Sequence, residues 1–169
     1  MPDNWTQICV VIATRNRPRD VVRAVSSVLS LDYPSFKLLV VDQSDSPETS
    51  DALRPYRNDS RLTVISSSAI GLAGARNLGC RSTEAPVIAF TDDDCEVTEA
   101  WLDRVAEAFL RNPQVGVVYG NVQAVEYDRS AGLVPAYKVA KLHTVARVED
   151  KTEVEGIGAC MAVRRELWR

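Results

Sequence analysis

The chain is organised by short apolar runs that stop abruptly at polar residues. "QICVVIA" (Gln7–Ala13) is rich in β-branched residues and is broken by "TRNRP". "FKLLVVDQSDS" repeats the form, an apolar run that ends in a carboxylate, and "RLTVISS" and "PVIAFT" supply a third and a fourth strand. Continuous rather than alternating apolarity is what strands covered on both faces show. Between these runs the period lengthens. "RDVVRAVSSVL" has helical spacing, and Pro18 suits a first helical turn. "SPETSDALRPY" reads as a short helix opened by Ser46 and Pro47, and "GLAGARNLGCRS" as a helix bounded by glycine. "TEAWLDRVAEAFLRN" is the clearest helix, with Thr98 as its N-cap and Trp101, Leu102, Val105, Ala108 and Phe109 on one face. "VGVVYGNVQAV" predicts a fifth strand, and "GIGACMAVRRELW" a strand turning into a helix. The stretch from Glu126 to Glu155 is polar and carries no clear period. Strands alternating with helices predict an α/β domain with a mainly parallel sheet flanked by helices. No internal repeat or linker divides the chain, so residues 1–169 read as a single domain.

Composition narrows the functional classes. A chain of 169 residues is long enough for one sizeable core, and 46% apolar with 25% charged residues is ordinary for a globular domain. The net charge of -3 and the scattered basic residues give no footprint for nucleic acid or an anionic membrane. No apolar run approaches the roughly 20 residues that span a bilayer, and the opening "MPDNWTQ" lacks the pattern of a signal peptide. Cys9, Cys80, Cys95 and Cys160 form no C-x-x-C pair, and three of them lie in or beside apolar runs. Reduced structural thiols and a cytoplasmic setting are expected. His143 has no ligand-spaced partner and reads as a surface or loop residue.

The chemistry gathers where the apolar runs end. In parallel sheets ligands bind at the carboxyl ends of the strands. Thr14–Arg17 follow the first run, Asp42 the second, and Asp92–Asp94 the fourth. On an extended chain Asp92 and Asp94 would face one side, roughly 7 Å apart, and Asp93 the other. Two carboxylates at that separation repel by roughly 2 kcal/mol at an effective dielectric near 20. A divalent cation removes that cost, and hard carboxylate oxygens suit Mg²⁺ or Mn²⁺ carried with a diphosphate. The same acids could instead serve as N-terminal charges for the following helix. "GLAGARNLG" departs from both the dinucleotide and the P-loop spacing, so its glycines read as turn and packing residues, with Arg76 near an anion as the alternative.

"CVVIATRNRP", "LLVVDQSDS", "GLAGARNLG", "VIAFTDDDCEVTEAWL" and "GIGACMAVRRELW" occur in the order and approximate spacing of the family-2 inverting glycosyltransferases, which have the GT-A fold. The resemblance covers essentially the whole chain, and the order of the five motifs is more specific than any one of them. It implies a nucleotide-sugar-binding domain with a Rossmann-like sheet. Thr14, Arg15 and Asn16 match the loop along the base and ribose, and Asp42 matches the acid that reads the base. Arg76 and Asn77 match the helix-start pair near the nucleotide. Asp92 and Asp93 match acids of the Asp-x-Asp region that meet the nucleotide sugar. Asp94 comes first as a ligand of Mn²⁺ or Mg²⁺, with Asp92 second. Gly158–Met161 match the segment that shapes the donor-sugar and acceptor side. The implied reaction is direct, metal-assisted displacement at the anomeric carbon, from a UDP-, GDP- or dTDP-sugar to an unidentified saccharide or lipid-linked acceptor, with inversion.

Arg15 stands where such enzymes commonly have tyrosine, and Gln43 where an acid or asparagine is usual. Resembling enzymes carry the catalytic base in an acidic pair beyond the segment that matches "GACMAVRREL". Glu153 and Glu155 precede that segment, so the base is expected beyond Arg169 and the domain is expected to be incomplete at its C-terminus. Two other readings remain open on sequence. One is a catalytically inactive nucleotide-sugar-binding module. The other is a nucleotidyltransferase, disfavoured because "TRNRP" lacks the glycine-rich loop after strand one.

Overall fold

The computed structural model describes residues 6–126, 130, 132–141, 144–146, 149–150 and 156–168. The readings made on His143, Glu153 and Glu155 lie outside these residues. The elements run β1 (Ile8–Thr14), α1 (Pro18–Leu29), β2 (Phe36–Asp42), α2 (Glu48–Ala52), β3 (Leu62–Ser66), α3 (Leu72–Arg81), β4 (Val87–Phe90), α4 (Trp101–Arg111), β5 (Val117–Tyr119) and β6 (Met161–Arg164).

The six strands form one sheet in the order β3-β2-β1-β4-β6-β5. The first four are parallel, whereas β6 runs antiparallel to both β4 and β5. The sheet is therefore mixed, with its parallel half on the β3 side. β1 lies between β2 and β4, and its side chains alternate between two cores. Ile8, Val10 and Ile12 join Val21, Val25 and Val28 of α1 and Leu102, Val105 and Phe109 of α4 in one apolar layer. Cys9 and Val11 face the other layer, with Cys80 of α3, Ile88 and Phe90. Cover on both faces is why β1 is apolar at every position up to its last residue, Thr14. On the α3 side the approach is close. A Cβ on Gly79 would lie 2.5 Å from Val11 Cγ1, so only glycine lets this helix sit against β1.

Four local expectations are corrected. Thr98 does not cap α4 with its side chain. The N-cap is Ala100, and Thr98 contributes only its carbonyl, which accepts from the Trp101 N–H at 2.9 Å. The buried face of α4 includes Ala106 rather than Ala108. The helix expected in "RRELW" is a single 3-10 turn, Arg165–Leu167. The fifth strand is also shorter than its apolar run, ending at Tyr119 where Gly120 leaves the sheet.

Candidate functional site

The strand order brings most of the chemistry-bearing residues to one edge. Thr14 pairs in register with Asp42 at the carboxyl ends of β1 and β2, and the residues after β4 lie on the other side of β1. The Thr14 hydroxyl donates to Asp93 Oδ2 at 2.8 Å, across that boundary. Arg17 is the N-cap residue of α1 and makes no cap with its side chain. Its Nη1 reaches over the sheet edge, 3.0 Å from Asp93 Oδ1 and 3.0 Å from Asp94 Oδ2. Asp93 is thus buried with both oxygens bonded. Burial pushes its carboxyl above the usual range, opposed by the Thr14 hydroxyl and the Arg17 charge. The charge of Asp93 in turn holds the Arg17 guanidinium more firmly protonated.

The expected alternation of the three aspartates is overturned. The chain leaves extended geometry after Phe90 and turns, with the Cys95 N–H donating to the Asp92 carbonyl at 3.2 Å. The turn sends Asp93 and Asp94 together to Arg17 and sends Asp92 to Arg76. Arg76 Nη2 donates to Asp92 Oδ1 at 2.8 Å and to the Gly158 carbonyl at 3.0 Å. Its guanidinium lies over the Phe90 ring, 5.5 Å from the centroid, and the side chain is only 15% exposed. A Cβ on Gly158 would collide with this guanidinium, so the glycine leaves room for it. Asn77 is half-buried, one residue along α3, and does not line the cleft described below.

The β1 and β2 loops are tied to each other. Arg15 Nη2 and Asn16 Nδ2 each donate to Asp45 Oδ2 at 3.0 Å, and the Asp45 N–H donates back to Asn16 Oδ1 at 3.0 Å. The two donors hold the Asp45 carboxyl below its ordinary range. Asn16 has φ 56°, a left-handed conformation that asparagine tolerates better than most residues. Asp42 is buried, and its Oδ1 accepts from the Ser44 N–H at 2.9 Å.

A cleft of about 240 Å³ opens at this edge. Thr14, Arg15, Arg17, Gln43 and Asp93 give it a polar and charged lining, while Ala13, Ile70, Gly71 and Leu72 give it an apolar one. Asp42 lies beside it without lining it. Among the described residues no group of three His, Cys, Asp or Glu side chains is placed to cage a metal ion. Asp94 and Asp92 are the less buried carboxylates of the cluster and offer hard oxygens, a partial shell only. The four cysteines are free thiols, and burial raises the pKa of each, to about 12 at Cys80 and about 11 at Cys95.

Gln43, Asp45, Ile70 and Leu72 belong to the site although the motifs did not select them as site residues. Arg17, one of the residues that follow the first apolar run, is drawn into it by Asp93 and Asp94.

The fold is that of the GT-A class. A mannosyltransferase from Pyrobaculum calidifontis, solved with GDP-Man and Mn²⁺, superposes with a TM-score of 0.70 at 20% identity, covering 98% of this chain and 46% of that one. Staphylococcus aureus TarS 1–349 in complex with UDP-GlcNAc gives a TM-score of 0.64 at 23% identity, covering 76% and 37%. At such identities the likeness is one of fold. The sequence goes further: the model of glycosyl transferase family 2 matches residues 9–169, and the chain belongs to that family. The glycosyltransferase AglE of Haloferax volcanii is 28% identical over 120 residues, 69% of this chain and 39% of its own length. This chain therefore spans less than half of each of these proteins. No helix among the described residues is long and apolar enough to cross a membrane.

Proposed function

We propose that the carboxyl edge of the parallel strands is the donor site of an inverting glycosyltransferase, which binds a UDP-, GDP- or dTDP-sugar. The observation that carries this reading is the meeting of Thr14, Arg17, Asp92, Asp93, Asp94 and Arg76 at one sheet edge, beside an open cleft. Family membership supports it, as do the GDP-Man and UDP-GlcNAc held by the two structural neighbours. In this reading Thr14, Arg15 and Asn16 lie along the base and ribose, with Asp42 beside the base. Arg76 and Asn77, which stand mid-way along α3 rather than at its start, serve the nucleotide, and Asp92 and Asp93 meet the ribose or sugar.

The residues fit a divalent cation. Mg²⁺ and Mn²⁺ sites commonly use one or two carboxylates and leave the remaining positions to phosphate and water. Asp94, half-exposed, would be the first ligand and Asp92 the second. When bound, Mn²⁺ or Mg²⁺ would supply countercharge to the departing nucleoside diphosphate. The protein's own contribution is positioning. Asp93 holds Thr14 and Arg17 in fixed relation through Nη1, and the half-exposed Arg17 guanidinium can offer its other N–H groups to a phosphate oxygen. None of the five acids at this edge is uncommitted: Asp42 bonds Ser44, Asp45 bonds Arg15 and Asn16, Asp92 bonds Arg76, and Asp93 and Asp94 share Arg17. In the resembling enzymes the base that activates the acceptor, here a saccharide or lipid-linked hydroxyl, lies in an acidic pair that does not correspond to any of these five. Four free thiols accord with a reducing cytoplasm.

Calorimetric titration with UDP, GDP and dTDP, each with and without Mn²⁺, tests the reading beside an Asp94→Ala control. Metal-dependent binding of one nucleotide, lost in the control, is expected. A folded protein that binds none of the three refutes it. Binding without any sugar transfer would instead favour the inactive binding module.

A further inference from the structure

We propose that Gln43 is a positioning residue that fixes the apolar wall of the cleft and, through it, the choice among nucleoside bases. The inference rests on the donor-site reading above. Gln43 follows β2 and its side chain is buried. Its Nε2 donates to the Ala69 carbonyl and, at 3.3 Å, to the Gly71 carbonyl. Its Oε1 accepts from the Gly71 N–H at 3.3 Å. One carboxamide thus answers two acceptors and a donor of the same loop, a match that neither a carboxylate nor a hydroxyl can make. The Gln43 N–H also donates to the Thr14 carbonyl at 2.9 Å, so the clamp is anchored in β1.

The clamped loop carries the wall. Ile70 and Leu72 are 64% and 51% exposed, and both line the cleft. Gly71 between them has φ 126°, a conformation that side chains rarely adopt. Exposed aliphatic groups at the rim of a charged cleft offer a surface for a flat base, while Arg17 addresses the charged parts. Both ends of the Gln43 carboxamide are already bonded, so Gln43 does not read the base itself. It sets where Ile70 and Leu72 stand.

The test uses the full chain with Gln43→Glu, Gln43→Met and Ile70→Ser. Glu keeps the size of Gln but removes both N–H donors and faces two carbonyls with a charge. Met keeps roughly the volume without polar atoms, and the exposed Ile70 can be replaced without touching the core. Backbone ¹⁵N relaxation of the ligand-free protein reads the clamp. Affinities for UDP, GDP, dTDP and inorganic pyrophosphate, each with Mn²⁺, read its consequence. Both Gln43 variants should mobilise the amides of Ala69–Leu72. All three variants should weaken the preferred nucleotide about tenfold, as loss of one or two net interactions would, and narrow the preference among bases. Pyrophosphate affinity should not change in Gln43→Met and Ile70→Ser. An equal loss on pyrophosphate in those two, or unchanged mobility and preference in Gln43→Glu, overturns the proposal. If the wild type binds no nucleotide, the donor-site reading and the base-selecting role fall together, while the relaxation data still decide whether Gln43 holds the loop.

Discussion

Thr14→Val is the sharpest perturbation of the site. The replacement keeps the shape of Thr14 and deletes one hydroxyl, the donor to Asp93 Oδ2 at 2.8 Å. Asp93 is buried, and Arg17 remains on its other oxygen at 3.0 Å. A hydrogen bond to a charged group contributes about 1.5–3 kcal/mol, so a loss of about 2 kcal/mol near pH 7 is expected. In an Asp93→Asn background the hydroxyl meets a neutral oxygen and its deletion should cost about 1 kcal/mol, leaving a coupling of about 1 kcal/mol. The pH dependence has a definite sign. The folded-state pKa of Asp93 is raised, so the native protein binds its proton more readily than the unfolded chain does. Stability from this group therefore falls as pH rises from the unfolded value through the folded one. Removing the Thr14 donor raises the folded value further, so the penalty of Thr14→Val should be largest near neutrality and shrink as Asp93 protonates. Asp59 has the opposite sign, since its pKa is lowered to about 2 chiefly by its hydrogen bonds to Arg61. Its stabilisation is present above the ordinary carboxylate value and fades as pH falls toward 2, but it is common to both proteins and cancels in the difference. Urea unfolding of the four proteins of the cycle, at neutral and mildly acidic pH, measures this. A coupling below about 0.5 kcal/mol, or a penalty that does not change with pH, would refute the reasoning.

Two further substitutions test the frame around the site. Gly79→Ala should destabilise the protein by about 1–3 kcal/mol in urea despite the better helix propensity of alanine, because the new Cβ meets Val11. Adding Val11→Ala should recover part of the loss, and no recovery would mean that the close packing of α3 on β1 is not its cause. At Asn16, with φ 56°, Asn16→Gly should be less harmful than Asn16→Ala by about 1 kcal/mol in the same assay. Both lose the bonds to Asp45, so equal costs would show that those bonds, not the backbone, set the requirement.

The core was legible in the sequence because it depends on periodicity, and periodicity is local. The runs at Ile8–Thr14, Phe36–Asp42 and Val87–Phe90 emerged as adjacent parallel strands, and Pro18 opens α1 as its fixed φ suggests. What could not be read was decided by partners distant in the chain. The antiparallel placement of β6 beside β4 depends on register across the sheet, not on the apolar content of "GACMAV". Thr98 has a capping hydroxyl, but the turn before α4 presents its carbonyl instead. Gln43 looked only like a departure from the acid or asparagine usual at its position, and its bonds to Ala69 and Gly71 were not legible there.

Three adjacent aspartates were the strongest chemical signal, and their arrangement shows which of them is available. An extended chain would have grouped Asp92 with Asp94. The turn groups Asp93 with Asp94 and gives Asp92 to another arginine. The two contacts of Arg17 differ in cost. Asp93 is buried and also bonded to Thr14, so opening that contact would leave an acid desolvated and only partly paired. The Arg17–Asp94 contact joins side chains that are 51% and 52% exposed, and an ion pair of that kind contributes about 0–1 kcal/mol. Asp92 lies between, held by an arginine that is itself fixed over Phe90 and against Gly158. A ligand entering the cleft can thus detach Asp94 at little cost while Asp93 keeps Thr14 and Arg17 in place. The cluster divides into a fixed acid and a releasable acid that can change partner, and in the proposed donor site this difference in burial adds to the case for Asp94 as the cation ligand.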